Sequence, residues 1–200
     1  MTRRIALLGL SGVGKSTLIG RLNKQTPLLH LQASALIKAE QAYRAQFPDS
    51  SESLRTGAVL DNQALMIAAF QRTTTDVEVP IVFDGHSVID SRDGLVEIPA
   101  SVFAELSLDA IFYLSAAPHI IAKRRLADTA RKRPIRDSET LAEHQRIAID
   151  AAQRIAEQIG CTFIQISDGD TDHIMTFLDY PPSGTTSMHD GDLVDKGTVF

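Results

Sequence analysis

The densest chemical signal in the chain is GLSGVGKST, running from Gly9 to Thr17. It fits the pattern G-x-x-x-x-G-K-[ST] at Gly9, Gly14, Lys15 and Ser16. A polyphosphate carries several negative charges, so its site needs many donors converging on one point. Gly12 and Gly14, on either side of Val13, let the backbone turn with its N–H groups inward, forming a concave anion nest. A helix opening near Lys15 adds unpaired N–H groups and the positive end of its dipole. In such a nest Lys15 reaches the β- and γ-phosphates of ATP. The Ser16 hydroxyl is placed to ligate Mg²⁺, and Thr17 meets the α-phosphate. A bare match can arise by chance in a Gly-rich turn. Here an apolar, strand-like run precedes the pattern and a helix-compatible run follows it, which is the context the motif requires.

A second acidic signal lies in PIVFDGHS, Pro80–Ser87. An apolar strand would deliver Asp84 to its C-terminal end, the edge at which open α/β sheets bind ligands. Asp84 is then placed to hold water on the metal bound by Ser16. D-G is also a common turn pair, so a purely local role is the competing reading. His86 stands just beyond the strand end and is a candidate contact to a second substrate. No base role is assigned to it, because phosphoryl transfer relies on positioning and charge stabilisation.

The segment KRRLADTARKRPIR, Lys123–Arg136, holds seven of the chain's 20 Lys and Arg residues, although the formal net charge is −5. A solvated helical face is the ordinary explanation of such a run. The alternative is a short lid that lays Arg125, Arg131 and Arg133 across a transferring phosphoryl group. Arginine suits that role because its planar fork pairs phosphate oxygens and stays charged. Aromatic residues do not interleave the segment, which makes nucleic acid the weaker partner.

These side chains need a frame. Apolar runs at Ile5–Leu8, Leu28–Leu31, Pro80–Phe83, Ala110–Leu114 and Thr162–Ile166 read as strands buried on both faces of a parallel sheet. Helical patterns fill the intervals at Lys15–Asn23, Ala33–Phe47, Leu54–Gln71, Pro118–Asp128 and Thr140–Ile159. The alternation predicts an α/β fold with right-handed crossovers. With 200 residues, 44% of them hydrophobic, the chain can bury a full core, and collagen, coiled coil and wholesale disorder are excluded. The single Cys161 cannot form an internal disulfide, which fits a reducing compartment. No apolar run approaches the ~20 residues of a membrane span, and the run after Arg3 and Arg4 ends in glycines and Lys15 without a cleavage pattern. The expectation is a cytoplasmic protein. The Pro-, Gly- and Asp-rich stretch 180–200 reads as a flexible tail after a domain spanning 1–179.

The chain resembles the archaeal-type adenylate kinases, P-loop nucleoside monophosphate kinases with a short lid. The resemblance runs to about Ile166. It is densest in GLSGVGKST, in FDGHSVIDSRDGLVEIP, and in KRRLADTARKRPI followed by EHQ at Glu143–Gln145. It implies a three-layer P-loop NTPase fold with a five-stranded parallel sheet in the order 2-3-1-4-5. It also implies a monophosphate-binding insertion over about 33–75 and a lid over about 123–138. Ser34 then opens the nucleotide-binding helices, and Arg55 in SLRTG matches the arginine that holds the acceptor phosphate. Gln63 in LDNQA falls one residue from the position that reads the adenine. The family includes homotrimers, so the resemblance allows a homo-oligomer. The resulting expectation is an enzyme that uses Mg²⁺ and ATP to phosphorylate a nucleoside monophosphate, AMP first. The alternatives are a different small-molecule acceptor, or a nucleotide-dependent regulatory or RNA-associated NTPase.

Overall fold

The strand β1 (Arg4–Leu8) is buried along almost its whole length, as a strand covered on both faces must be. It pairs in parallel with β3 (Ile81–Asp84) on one side and β6 (Ala110–Ser115) on the other. β2 (Leu29–Gln32) and β7 (Thr162–Ser167) form the two edges, so the five-stranded sheet runs β2-β3-β1-β6-β7. Counting only the strands of this sheet, the order is the predicted 2-3-1-4-5. The computed structural model describes residues 2–44, 59–91, 94–128 and 134–179. The tail over 180–200 therefore lies outside the described residues.

The helices follow the predicted alternation. α1 (Lys15–Leu22) and α2 (Ala33–Tyr43) follow the first two strands, and α3 (Val59–Thr73) leads to β3. Beyond the sheet centre come α5 (Pro118–Ala127), α6 (Ser138–Ile159) and α7 (Thr171–Asp179). α6 begins ahead of the expected Thr140 because Asp137 caps it, its carboxylate accepting from the Thr140 N–H at 2.7 Å. In α7 the residues Thr171, Ile174 and Leu178 bury one helical face. Among the described residues no helix is long and apolar enough to cross a membrane.

One feature escaped the periodicity. Residues after β3 form an antiparallel hairpin of β4 (Val88–Ser91) and β5 (Gly94–Glu97), followed by the short helix α4 (Ala100–Ala104). Each hairpin strand has only four residues, VIDS and GLVE, too few for a clear alternation. The hairpin is held to α6 by long-range contacts instead. Ser87 donates its hydroxyl to the Ala148 carbonyl at 2.7 Å, and Arg154 reaches Glu97 at 3.0 Å.

Two arrangements set the walls beside the C-terminal end of β3. Phe83 meets Phe70 and Phe103 edge to face, with ring centroids 6.0 and 6.4 Å apart. Glu40 on α2 takes Arg72 of α3 at 2.6 Å and Arg44 at 2.7 Å, while the Arg72 guanidinium lies 4.0 Å from the Tyr43 ring centroid. The first joins the sheet to α3 and α4, and the second ties α2 to α3. Phe103 is 1% exposed, so Phe103→Ala removes a fully packed ring. By calorimetric or denaturant unfolding that substitution is expected to cost about 3–5 kcal/mol.

Candidate active site

The turn from β1 into α1 forms the phosphate nest. Gly12 and Gly14 have φ values of 88° and 118°, in the left-handed region where side chains are strained. Gly14 is also the N-cap of α1, and no side chain caps that helix end. Uncapped N–H groups at a helix start of this kind are suited to an anion. A cavity of about 470 Å³ is lined by Gly12, Gly14, Lys15, Ser16, Thr17, Asp84 and Arg124, among others.

Lys15 is 7% exposed. Its ammonium donates to the Gly9 carbonyl at 3.0 Å and stands 3.7 Å from Asp84 Oδ1. Register explains the meeting: Leu7 of β1 pairs with Asp84 of β3, so the strand that feeds the nest lies beside the strand that carries the carboxylate. Gln32 of β2 pairs with Asp84 from the other side, and His30, two residues earlier on the same face, places Nε2 3.5 Å from Asp84 Oδ2. Burial acts to raise the Asp84 pKa. The Lys15 charge, His30 and His86 outweigh it and hold the carboxyl below its ordinary value.

His86 Nδ1 lies 2.6 Å from the Gly9 carbonyl oxygen. A carbonyl only accepts, so Nδ1 carries the proton. The same carbonyl thus takes one bond from Lys15 and one from His86, tying the start of the nest to the end of β3. His86 also borders a second cavity of about 360 Å³. The polar groups of this cavity include Gln32, Ser34, Lys38, Gln63 and Arg125, and its apolar wall includes Met66, Phe83 and Phe103. Ser11, Ser34 and His86 line both cavities, so the two adjoin.

α5 lies across the nest. Arg124 donates to the Val13 carbonyl, and its other terminal nitrogen reaches Asp168 at 2.6 Å. Arg125 donates Nε to the Ser11 carbonyl at 2.8 Å. A Cβ on Gly12 would come within 3.0 Å of Arg125 Cγ, and one on Gly14 within 3.0 Å of Arg124 Nη1. The glycines therefore serve close approach as well as backbone conformation. Gln145 holds α6 to the sheet, exchanging two hydrogen bonds of 3.1 Å with the backbone of Ala116 at the end of β6.

The structure gathers Gly12, Gly14, Lys15, Ser16, Thr17 and Asp84 around the first cavity. Buried Val13 contributes its carbonyl to Arg124 rather than a side chain to the cavity. Ser34, Gln63 and His86 line the second cavity together with Arg125. Arg55, Arg131 and Arg133 lie outside the described residues. Sequence reasoning missed His30, Gln32, Lys38 and Asp90. His30 and Gln32 share parity on β2, but their closeness to Asp84 depends on register. Asp90 belongs to the hairpin that left no periodic trace.

Fold and site define the P-loop kinase class of nucleotide-binding proteins. A family model described as an AAA domain, AAA_17, matches residues 8–142, and the chain belongs to that family. The expected similarity to archaeal adenylate kinases is borne out. The adenylate kinase of Thermococcus kodakarensis is 29% identical over 74% of this chain and 77% of its own length. That of Methanocaldococcus jannaschii is 27% identical over 83% of this chain and 90% of its own. A shikimate kinase from Acinetobacter baumannii, solved in complex with shikimate, shares the fold with a TM-score of 0.53. It is 11% identical and covers 89% of this chain and 91% of its own.

Because the folded Asp84 pKa is depressed, its stabilising contribution is present above the ordinary carboxylate value of about 3.9 and is lost as pH falls through the folded value. Melting temperatures of the wild type and Asp84→Asn, followed from about pH 6 to about pH 3, are expected to converge in acid. A gap that stays constant over that range would contradict the assignment.

Proposed function

We propose that the protein is a nucleoside monophosphate kinase that transfers the γ-phosphoryl group of Mg²⁺-ATP to AMP, giving ADP from both. The observation that carries this reading is the pair of adjoining cavities. One has the donor set for a polyphosphate, and the other is a largely apolar slot with amide, hydroxyl and cationic groups at its edge. The similarity to adenylate kinases supports AMP as the first acceptor to test.

The residues divide the task. The nest amides and Lys15 grip the β- and γ-phosphates, and Thr17 meets the α-phosphate. Ser16 and Asp84 line the same cavity, and the depressed pKa keeps Asp84 ionised. A hydroxyl and a carboxylate acting through water fit Mg²⁺, which keeps several waters and takes other ligands from phosphates. When bound, the ion neutralises charge on the β- and γ-phosphates. Gln63 and the apolar wall hold the base, Ser34 meets the base or ribose, and His86 and Arg55 place the acceptor phosphate. One of its oxygens forms the new bond to γ-phosphorus, and the β–γ bridging oxygen departs with ADP. No proton need be removed, since the acceptor is already anionic. Arg125, with Arg131 and Arg133, balances the charge on the migrating group and closes the site to water, which otherwise competes as acceptor.

The deciding experiment is ADP production across AMP, CMP, UMP, GMP and dTMP, with a no-acceptor control. AMP is expected to give the highest kcat/KM. Hydrolysis of ATP that no acceptor stimulates would overturn the reading. Lys15→Ala is expected to lower kcat by roughly 10²–10³. Arg55→Ala is expected to raise the KM for AMP while leaving that for ATP nearly unchanged, and an unaltered AMP KM would remove Arg55 from the acceptor site.

A further inference from the structure

The Asp90 carboxylate is the centre of a buried charge cluster at the rim of the second cavity. Its Oδ2 receives Arg125 Nη1 at 3.0 Å, and its Oδ1 receives Arg136 Nη2 at 3.1 Å and Nε at 3.3 Å. Arg136 also donates to the Ser91 carbonyl at 3.2 Å, and His144 Nδ1 stands 3.7 Å from Oδ2. The Asp90 and Arg125 side chains are 8% and 6% exposed. Three elements meet there: the hairpin strand β4, the C-terminal end of α5 and the first half of α6.

We infer that Asp90 is a positioning residue that sets the plane of the Arg125 guanidinium against the P-loop. It rests on the kinase reading above for its catalytic consequence, but not for its geometry. Arg125 has two fixed acceptors in different directions, the Ser11 carbonyl for Nε and Asp90 for Nη1. A planar fork held at two of its corners cannot rotate without breaking one bond. Burial of such a pair adds little to stability, because desolvation offsets the attraction and a well-packed apolar pair would serve as well. Location gives it a different value: Asp90 and Arg125 both line the acceptor cavity. One carboxylate facing two guanidinium groups also leaves a net positive charge at the rim, so the cluster orients Arg125 without cancelling its attraction for an anion.

Removing the negative charge should therefore spare or tighten acceptor binding and slow the transfer. With Mg²⁺-ATP and AMP, Asp90→Asn is expected to lower kcat about 10–100-fold, the scale of an ångström-sized misplacement. The KM for AMP is expected to stay level or fall, and that for ATP to stay level. Asp90→Glu restores the charge and is expected to recover part of the kcat. Adding Asp90→Asn to Arg125→Lys should cost little beyond Arg125→Lys alone, since the first substitution acts through the second residue. A kcat equal to wild type in Asp90→Asn, a rise in AMP KM with kcat unchanged, or full additivity would each overturn the inference. Should Asp90→Asn show no cooperative melting, exchange of the Arg125 side chain in the wild type decides: an unprotected Nε–H sinks the proposal. A readout independent of turnover is the side-chain Nε–H resonance of Arg125 in ¹⁵N-labelled protein, assigned by its loss in Arg125→Lys. It should be protected from exchange in wild type, exposed in Asp90→Asn and intermediate in Asp90→Glu. Protection without transfer to any nucleoside monophosphate would support Asp90's role while ending the kinase reading. Equal exchange in wild type and variants would end Asp90's role alone.

Discussion

A polyphosphate site must hold positive charge out of water without neutralising it, and the arrangement around Lys15 meets that demand. A buried ammonium needs partners, or desolvation strips its proton. It has the Gly9 carbonyl at 3.0 Å, a full hydrogen bond, and Asp84 at 3.7 Å, beyond hydrogen-bonding distance. The Asp84 contact is thus an ion pair at longer range than the bond to Gly9. The rest of the site follows from keeping Gly9, Lys15 and Asp84 in this relation. The parallel pairing of β1 with β3 does so, because the register brings Asp84 beside the strand from which the nest departs.

The stretch from Asp84 to Ser91 then serves several ends in succession. Asp84 faces the nest, His86 bonds back to Gly9, Ser87 anchors to α6, and Asp90 takes the two arginines. A short chain segment thereby connects the two cavities and the helix that carries Gln145. Displacing the hairpin would disturb all of these together.

Beside the second cavity the described elements are joined by packed rings and paired charges. Phe70, Phe83 and Phe103 lock the sheet end to α3 and α4, and Glu40 fixes α2 against α3. Packed walls of this kind would suit the proposed phosphoryl transfer, in which an error of one ångström in a reacting group is costly.

The P-loop was legible because its glycines, lysine and hydroxyl lie within nine residues and each answers to a local requirement of phosphate binding. The strands and most helices were legible because burial on both faces, or on one, imprints a continuous or periodic apolar pattern. Asp84 and His86 could be singled out because a strand end at the binding edge is visible in the chain itself. His30, Gln32, Lys38 and Asp90 could not, since their roles arise from register between strands and from docking of distant elements. A carboxylate at position 90 carries no mark of two arginines 35 and 46 residues away. Local physics writes itself into neighbouring residues, whereas the pairing of buried charges is decided only when the sheet and helices close around them.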